Sequence, residues 1–479
     1  MKFINLALLF SILFFSRNSF AQGYEIKVKL DNYEGKSAKL GFHYGNKQYI
    51  KDSAKVETDG TMTFKGEKEL EPGIYLLIMQ PKNVYFELLI NKGEQFFSVM
   101  TDTKAIPEKM KIKGSKDNEV YYEYLNAISD KREALQKLRE ETKTVAAEPA
   151  KKAENAKKIT AKEEEIDLYQ RDFIKKYPTT FSAAIVKASK DIDLPTFTGT
   201  DLEMRTQRYF WYKQHFFDNY DLGNDRMVRT PLEFSRVDYY ITKLTAQQPD
   251  SIIQSVDKVL DMMKTAPDAF KFFCTHYLNF YAKSDIVGQD AVYVHLAKKY
   301  YEKGLTPWVS KDQVDKIIEN ANSLLPTLLG KTAMDFTLTL RDGKTVTLSE
   351  IKSPYTIVMF WAPDCGHCKE EMPDVVKFYE KWKNKGVYLL GVCNRIDTDK
   401  IPECWQFMDE RPDMKFPVGC DLYLKSNTQT NYYVKSTPMV FILDKDKKIV
   451  MKKINPKQLD EVMEEITKLD EENKKFEKK

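Results

Sequence analysis

Charge of one sign is missing from this sequence: 75 Lys and Arg stand against 71 Asp and Glu, a formal net charge of +4. Such a balance creates no strong field to recruit nucleic acid or an anionic membrane surface, and no nucleic-acid partner is expected. Long apolar runs are missing too. The N-terminal run from Leu6 to Phe15 falls short of the ~20 residues a membrane span needs. Cysteine is scarce: six in 479 residues do not make a disulfide scaffold. The five histidines include no His-x-x-x-His, and there is no second Cys-x-x-Cys. A four-ligand structural zinc site therefore has no familiar spacing to rest on, and no metal is expected. No internal repeat is visible.

Residues 1–21 have the form of an export signal. Lys2 precedes the apolar stretch, and Ser19-Phe20-Ala21 is a small-x-small cleavage site before Gln22. No Cys follows that cut, so a lipid anchor is not expected. The mature protein should then be soluble and lie in the periplasm or otherwise outside the cytoplasm.

Patterning divides the rest into three, giving a multidomain α+β chain. Residues 22–113 read as strands: Tyr24–Leu30 alternates with period two, while Val84–Ile90 and Phe96–Met100 are β-rich runs. Asp59-Gly60, Pro72-Gly73 and Lys92-Gly93 mark turns. A small antiparallel sandwich or barrel is predicted. Residues 114–326 read as helical, with Tyr121, Tyr124, Leu125, Ile128, Leu135 and Leu138 at helical spacing. The Glu-, Lys- and Ala-rich stretch 139–165, broken by Pro149, predicts an exposed charged hairpin. The aromatic clusters Tyr209–Tyr212 and Tyr277–Tyr281 are expected in the core, the alternative being a groove for an unfolded client.

Residues 327–475 read as an α/β layer fold. Tyr355–Trp361 is a buried-strand run, and a helix to Lys385 follows, with Met372, Val375, Val376, Tyr379 and Trp382 on one face and Gly386 as its C′ residue. Val387–Val392, Met439–Leu443 and Ile449–Met451 are further strands. Pro456 can start the last helix, with Leu459, Val462, Met463, Ile466 and Leu469 on its apolar face.

Five of the six cysteines fall between Cys365 and Cys420, which locates the redox chemistry. Cys365-Gly366-His367-Cys368 opens the helix after the buried strand. Two cysteines three apart at a helix N-terminus have sulfurs within bonding reach. At the exposed end, unpaired N–H groups and the helix dipole favour a thiolate. Cys365 is thus the expected nucleophile and Cys368, one turn in, the resolving thiol. No cofactor is needed beyond the Cys365–Cys368 disulfide: thiolate attacks disulfide, a mixed disulfide forms, and the second thiol releases it. Gly366 and His367 tune the couple; a protonated imidazole would stabilise the reduced form. A peroxide-reducing Pro-x-x-x-Thr/Ser-x-x-Cys pattern is absent, since Val358 and Ala362 occupy its first and fifth positions.

Phe360-Trp-Ala-Pro-Asp-Cys-Gly-His-Cys-Lys-Glu-Glu-Met-Pro373 resembles the active-site segment of the TlpA/ResA-like branch of the thioredoxin superfamily. Glu371 and Pro373 fit its Cys-x-x-Cys-x-x-Glu-x-Pro pattern, and Lys435-Ser-Thr-Pro-Met439 fits its cis-proline loop. The resemblance covers residues 328–475. It implies a thioredoxin-like fold, a cis Pro438 facing the cysteine pair, and a client bound beside Trp361, Thr437 and Pro438, with Thr437 offering its backbone as a strand edge. The upstream layout is similar to Bacteroidetes-type secreted proteins with a C-terminal thioredoxin-like domain.

Two cues conflict. The buried Asp that many thioredoxins carry six positions before the first cysteine is Met359 here, leaving proton handling to Glu371 or water. Gly-His is the dipeptide of protein disulfide isomerases, whereas the branch resembles reductases. The expected function is disulfide exchange with exported proteins carrying thiols or disulfides, reduction or isomerisation preferred, fed by a membrane or periplasmic redox partner. The alternative is a non-catalytic adaptor built on the same fold. Among Cys393, Cys404 and Cys420 any two could form a structural disulfide, or a second redox pair that relays electrons. Cys274 is expected to be buried and inert.

Overall fold

The structure is a computed structural model that describes residues 23–144, 149–395 and 398–477. The export-signal segment lies outside the described residues. Among those described, no helix is long and apolar enough to cross a membrane. The chain forms two compact units, one of residues 23–244 with Val259–Phe272, the other of Thr245–Lys258 with Phe273–Lys479.

The first unit begins with β1 (Tyr24–Asp31), β2 (Ser37–Tyr44), β3 (Lys47–Lys55), β4 (Thr61–Gly66), β5 (Gly73–Met79), β6 (Val84–Ile90), β7 (Phe96–Asp102) and β8 (Lys111–Lys113). They make two four-stranded sheets, ordered β4-β1-β7-β8 and β3-β2-β5-β6. The period-two pattern of β1 is real: Tyr24, Ile26, Val28 and Leu30 are buried while Lys27 and Lys29 face out. The predicted all-antiparallel pairing needs one correction, because β1 and β7 run parallel. Parallel pairing of strands far apart in sequence leaves no local signature, unlike a hairpin.

Helices follow: α1 (Lys116–Thr144), α2 (Pro149–Lys176), α3 (Phe181–Ala188), α4 (Asp201–His215), α5 (Pro231–Thr242), α6 (Pro249–Met262), α7 (Pro267–Ala282), α8 (Asp290–Leu296) and α9 (Lys311–Leu324). The charged hairpin is α1 with α2. Helix α2 buries only Gln170 and Phe173, and Arg139 reaches Glu163 at 2.7 Å. The core placement expected of Tyr209–Tyr212 is wrong: α4 has no buried residue, and Phe210 is 64% exposed. Four consecutive helical residues sweep most of the helix circumference, so they cannot share one buried face. Phe216 and Phe217, just beyond the helix, occupy the core instead. In the second cluster Tyr277, Leu278 and Tyr281 are buried as expected, while Phe280 is exposed.

The second unit holds a seven-stranded sheet, made of β9 (Thr337–Leu340), β10 (Thr345–Thr347), β11 (Tyr355–Trp361), β12 (Val387–Cys393), β13 (Val418–Cys420), β14 (Met439–Leu443) and β15 (Ile449–Lys452). Its order is β10-β9-β13-β12-β11-β14-β15. Strand β11 is parallel to β12 and antiparallel to β14. All seven of its residues are buried, because the sheet is covered on both faces. Ile357, Met359 and Trp361 enter one core with residues of α10 (Gly366–Trp382), α11 (Ile401–Glu410) and α13 (Leu459–Glu477). Val358 and Phe360 enter the other, with Phe336, Tyr432 and Phe441. Helix α12 (Thr428–Asn431) is a single turn before the Pro438 loop.

Two expected faces shift by a position. Phe378 joins Met372, Val375 and Trp382 in the buried stripe of α10, with Val376 and Tyr379 half-buried at its edge. On α13, Leu459 and Met463 are buried but Leu469 is 51% exposed, because at this turn it is the next residue, Asp470, that faces the sheet and accepts from Tyr355.

Candidate functional site

Strand β11 ends at Trp361, and after four intervening residues α10 begins at Gly366. Cys365 is the N-cap of that helix: its backbone is extended, and its Sγ accepts the N–H of Cys368 at 3.2 Å. The first four N–H groups of a helix have no intrahelical partner, so a sulfur at this position satisfies one of them. Cys365 is partly exposed and Cys368 buried, both as free thiols. A Cβ added at Gly366, between the two cysteines, would meet no atom within 4 Å, so the chain is uncovered there.

The Thr437–Pro438 peptide is cis, and its loop faces the pair: the Cys365 thiol donates to the Thr437 carbonyl at 3.2 Å. Lacking an N–H, Pro438 leads into β14 without adding a donor. Burial, then the hydrogen bond with Cys365, pushes the Cys368 thiol above the ordinary range. The pair is therefore unequal, one cysteine partly exposed and the other held protonated inside.

His367 is 81% exposed and stands 3.9 Å from Glu370 on the outer face of α10. Glu371 points the other way. It is 6% exposed, one oxygen accepts from Asn455 at 2.9 Å, and the other is buried without a partner. It sits one turn below Cys368. A buried carboxylate with an unused lone pair is suited to exchange a proton. Met359 is fully buried in the place where many thioredoxins carry an acid.

Trp361 requires a correction. The resemblance sets it against the client, but it is fully buried against Phe407. As the last odd-numbered residue of a strand covered on both faces, it points into the α11 side of the core. Thr437 and Pro438 are half-exposed beside Cys365, where a client chain can reach them.

Pattern reading missed a clasp. The Arg395 guanidinium lies 2.7 Å from Asp364, the residue before Cys365, and 3.0 Å from Glu403 on α11. It holds the Asp364 carboxyl below the usual range. Behind it, Cys393 and Cys404 are joined by a disulfide, and Cys420 is a free, buried thiol. Cys274 is also buried, its thiol raised to about 12 by burial.

Three stretches of the chain match known families. Residues 329–452 match the AhpC/TSA family, residues 24–121 a domain of unknown function (DUF4369), and residues 147–324 another (DUF5106). A thiol-disulfide oxidoreductase ResA of Bacillus cereus is 32% identical over 142 residues, 29% of this chain and 79% of that protein. The thioredoxin domain of a Bacteroides vulgatus thiol-disulfide oxidoreductase is 23% identical, covering 29% of this chain and 96% of that one, with a TM-score of 0.27. A thioredoxin-like protein from Bacteroides caccae is 16% identical, covering 57% of this chain and 98% of that one, with a TM-score of 0.43. Through residues that include the Cys365–Cys368 helix end and the Pro438 loop, the chain belongs to the ResA/TlpA-type thiol-disulfide oxidoreductases and is an oxidoreductase.

Proposed function

We propose that Cys365 and Cys368 exchange disulfides with exported proteins outside the cytoplasm, reducing or isomerising them. The observation that carries this reading is the Cys365 sulfur: partly exposed, capping α10, and directed at the Thr437 carbonyl of the cis-proline loop. A client strand lying along Thr437 brings its disulfide to that sulfur. Cys365 attacks one client sulfur, the other leaves as a thiol, and a mixed disulfide remains. Cys368 then gives up its proton, attacks Cys365, and releases the reduced client. Glu371, one turn below, is the acceptor we assign to that proton. The reaction needs no cofactor beyond this dithiol. A separate membrane or periplasmic dithiol must restore the pair after each turnover. The N-terminal signal pattern and the Cys393–Cys404 disulfide support an oxidising compartment.

The test is trapping. In Cys368→Ala the mixed disulfide has no resolving thiol, and client proteins should accumulate on Cys365. Insulin reduction should vanish in Cys365→Ser. Retained insulin reduction in that variant would overturn the assignment.

A further inference from the structure

Cys393, Cys404 and Cys420 lie outside the dithiol just described. Their sulfurs all fall within 4.8 Å of one another, and all three residues are at most 2% exposed. Cys393 closes β12 and is bonded to Cys404 on α11. Cys420 closes β13, the neighbouring parallel strand, directly in register with Cys393. The geometry points to a disulfide-exchange triad: Cys420 can replace Cys404 as the partner of Cys393, giving this domain two isomeric oxidised states.

Both partners meet the spatial requirement. Disulfides span Cα separations of about 4.4–6.8 Å. The Cys393–Cys404 pair spans 6.5 Å, towards the long end of that range. Register partners on adjacent strands are about 4.7–4.9 Å apart, well inside it. The exchange needs no outside oxidant. The Cys420 sulfur, as thiolate, attacks the Cys393 sulfur. A Cys420–Cys393 bond forms, the Cys393–Cys404 bond breaks, and the electron pair leaves on Cys404, which takes up the proton Cys420 gave up. One disulfide and one thiol are present before and after. Burial raises the Cys420 thiol to about 12, which keeps the exchange slow.

The two isomers differ in what they hold. With Cys404 bonded, α11 is tied to the end of β12. With Cys420 bonded, the sheet is stapled to itself and α11 loses its tether. That helix carries Phe407, whose ring lies 5.2 Å from that of Trp361, and Glu403, which shares Arg395 with Asp364 beside Cys365. The partner chosen by Cys393 thus sets how firmly one wall of the dithiol is held.

Each cysteine of the triad falls on its own tryptic peptide, because Arg395, Lys400, Lys415 and Lys425 separate them. The full-length oxidised protein is held for hours in mildly alkaline buffer, quenched in acid, unfolded, alkylated and mapped by mass spectrometry. A Cys393–Cys420 peptide pair should grow in with time, matched by alkylated Cys404. Cys393–Cys404 as the sole linkage at every time point overturns the triad. Under the same oxidising conditions Cys404→Ala should close Cys393 onto Cys420; two free thiols in the folded variant overturn it as well. The wall is tested by comparing Cys404→Ala with Cys420→Ala. Once the accessible Cys365–Cys368 pair alone has been reduced, Cys365 should alkylate severalfold faster in the first, and equal rates overturn the link to the dithiol.

Discussion

One domain holds two groups of cysteines, and what separates them is Cys365, since Cys368 is as buried as the second group and its thiol is raised like that of Cys420. Cys365 sits partly exposed at a helix end; Cys393, Cys404 and Cys420 sit at strand ends and on a helix under a closed core. In the first group a backbone N–H points at the sulfur. In the second, Cys420 has only burial acting on it. The contrast teaches that placement, not the number of sulfurs, decides which thiol meets a client. A cap position supplies exposure and a donor together, while a core position supplies neither.

Alkylation should break or sustain this contrast most directly. In the native reduced protein, iodoacetamide should label Cys365 first, and should label Cys420 and Cys274, whose thiols burial lifts from 9.0 to about 12, ~10³-fold slower than it labels them in the unfolded chain. Comparable rates measured by peptide mapping would mean that the core cysteines are open to solvent. The same burial sets an alkaline limit. In the unfolded chain these thiols lose protons near 9, while folded they keep them to about 12, so the unfolded state binds fewer protons across that window. Stability therefore falls as pH rises from 9 towards 12, by about 1.4 kcal/mol per pH unit for each thiol. Cys420→Ala should remove one such share from the slope of denaturation free energy against pH. An unchanged slope would sink that account.

Smaller effects sharpen the inner half of the dithiol. Glu371→Gln should lengthen the lifetime of the mixed disulfide by roughly a hundredfold, at the low end of general acid–base contributions, and leave the first attack unchanged. A stopped-flow experiment with a model disulfide separates the two steps; equal slowing of both would point to a structural defect. Arg395→Ala leaves the Asp364 carboxylate unbalanced beside Cys365. Like charge there disfavours the thiolate and should slow Cys365 alkylation at neutral pH about threefold, less at high salt. An effect that ignores salt would assign Arg395 to packing rather than charge.

What the sequence revealed follows from how local each signal is. The buried run Tyr355–Trp361, the start of the helix after it and the Pro438 loop are contiguous stretches and stand where they are expected, although the helix stops at Trp382, short of the Lys385 end that Gly386 suggested. The Asn455–Glu371 hydrogen bond joins residues 84 apart, and the Arg395 clasp joins a loop, a strand end and a helix. No periodicity reports such meetings. The choice of Cys404 over Cys420 depends on where α11 lies in space, which the helical spacing of Ile401, Cys404, Trp405 and Met408 does not report. Trp361 is misplaced because an aromatic residue next to a reactive motif looks like a contact surface, whereas its strand parity sends it inward. Tyr209–Tyr212 fails for the complementary reason: hydrophobic composition says nothing of burial without a face to put it on.

The hydrogen bond from the Cys368 N–H to the Cys365 sulfur also bears on how long a client stays attached. A sulfur already spent in a bond to a client is a poorer acceptor than a thiolate, so every mixed disulfide is formed at the expense of the helix cap. Helix caps are worth about 1 kcal/mol. Release by Cys368 does not return the sulfur to its cap, because it leaves Cys365 in the disulfide with Cys368; only the thiol form restores it. The cap therefore favours, by about fivefold and whichever protein was held, both the reverse step that frees the thiol and the later reduction of the pair.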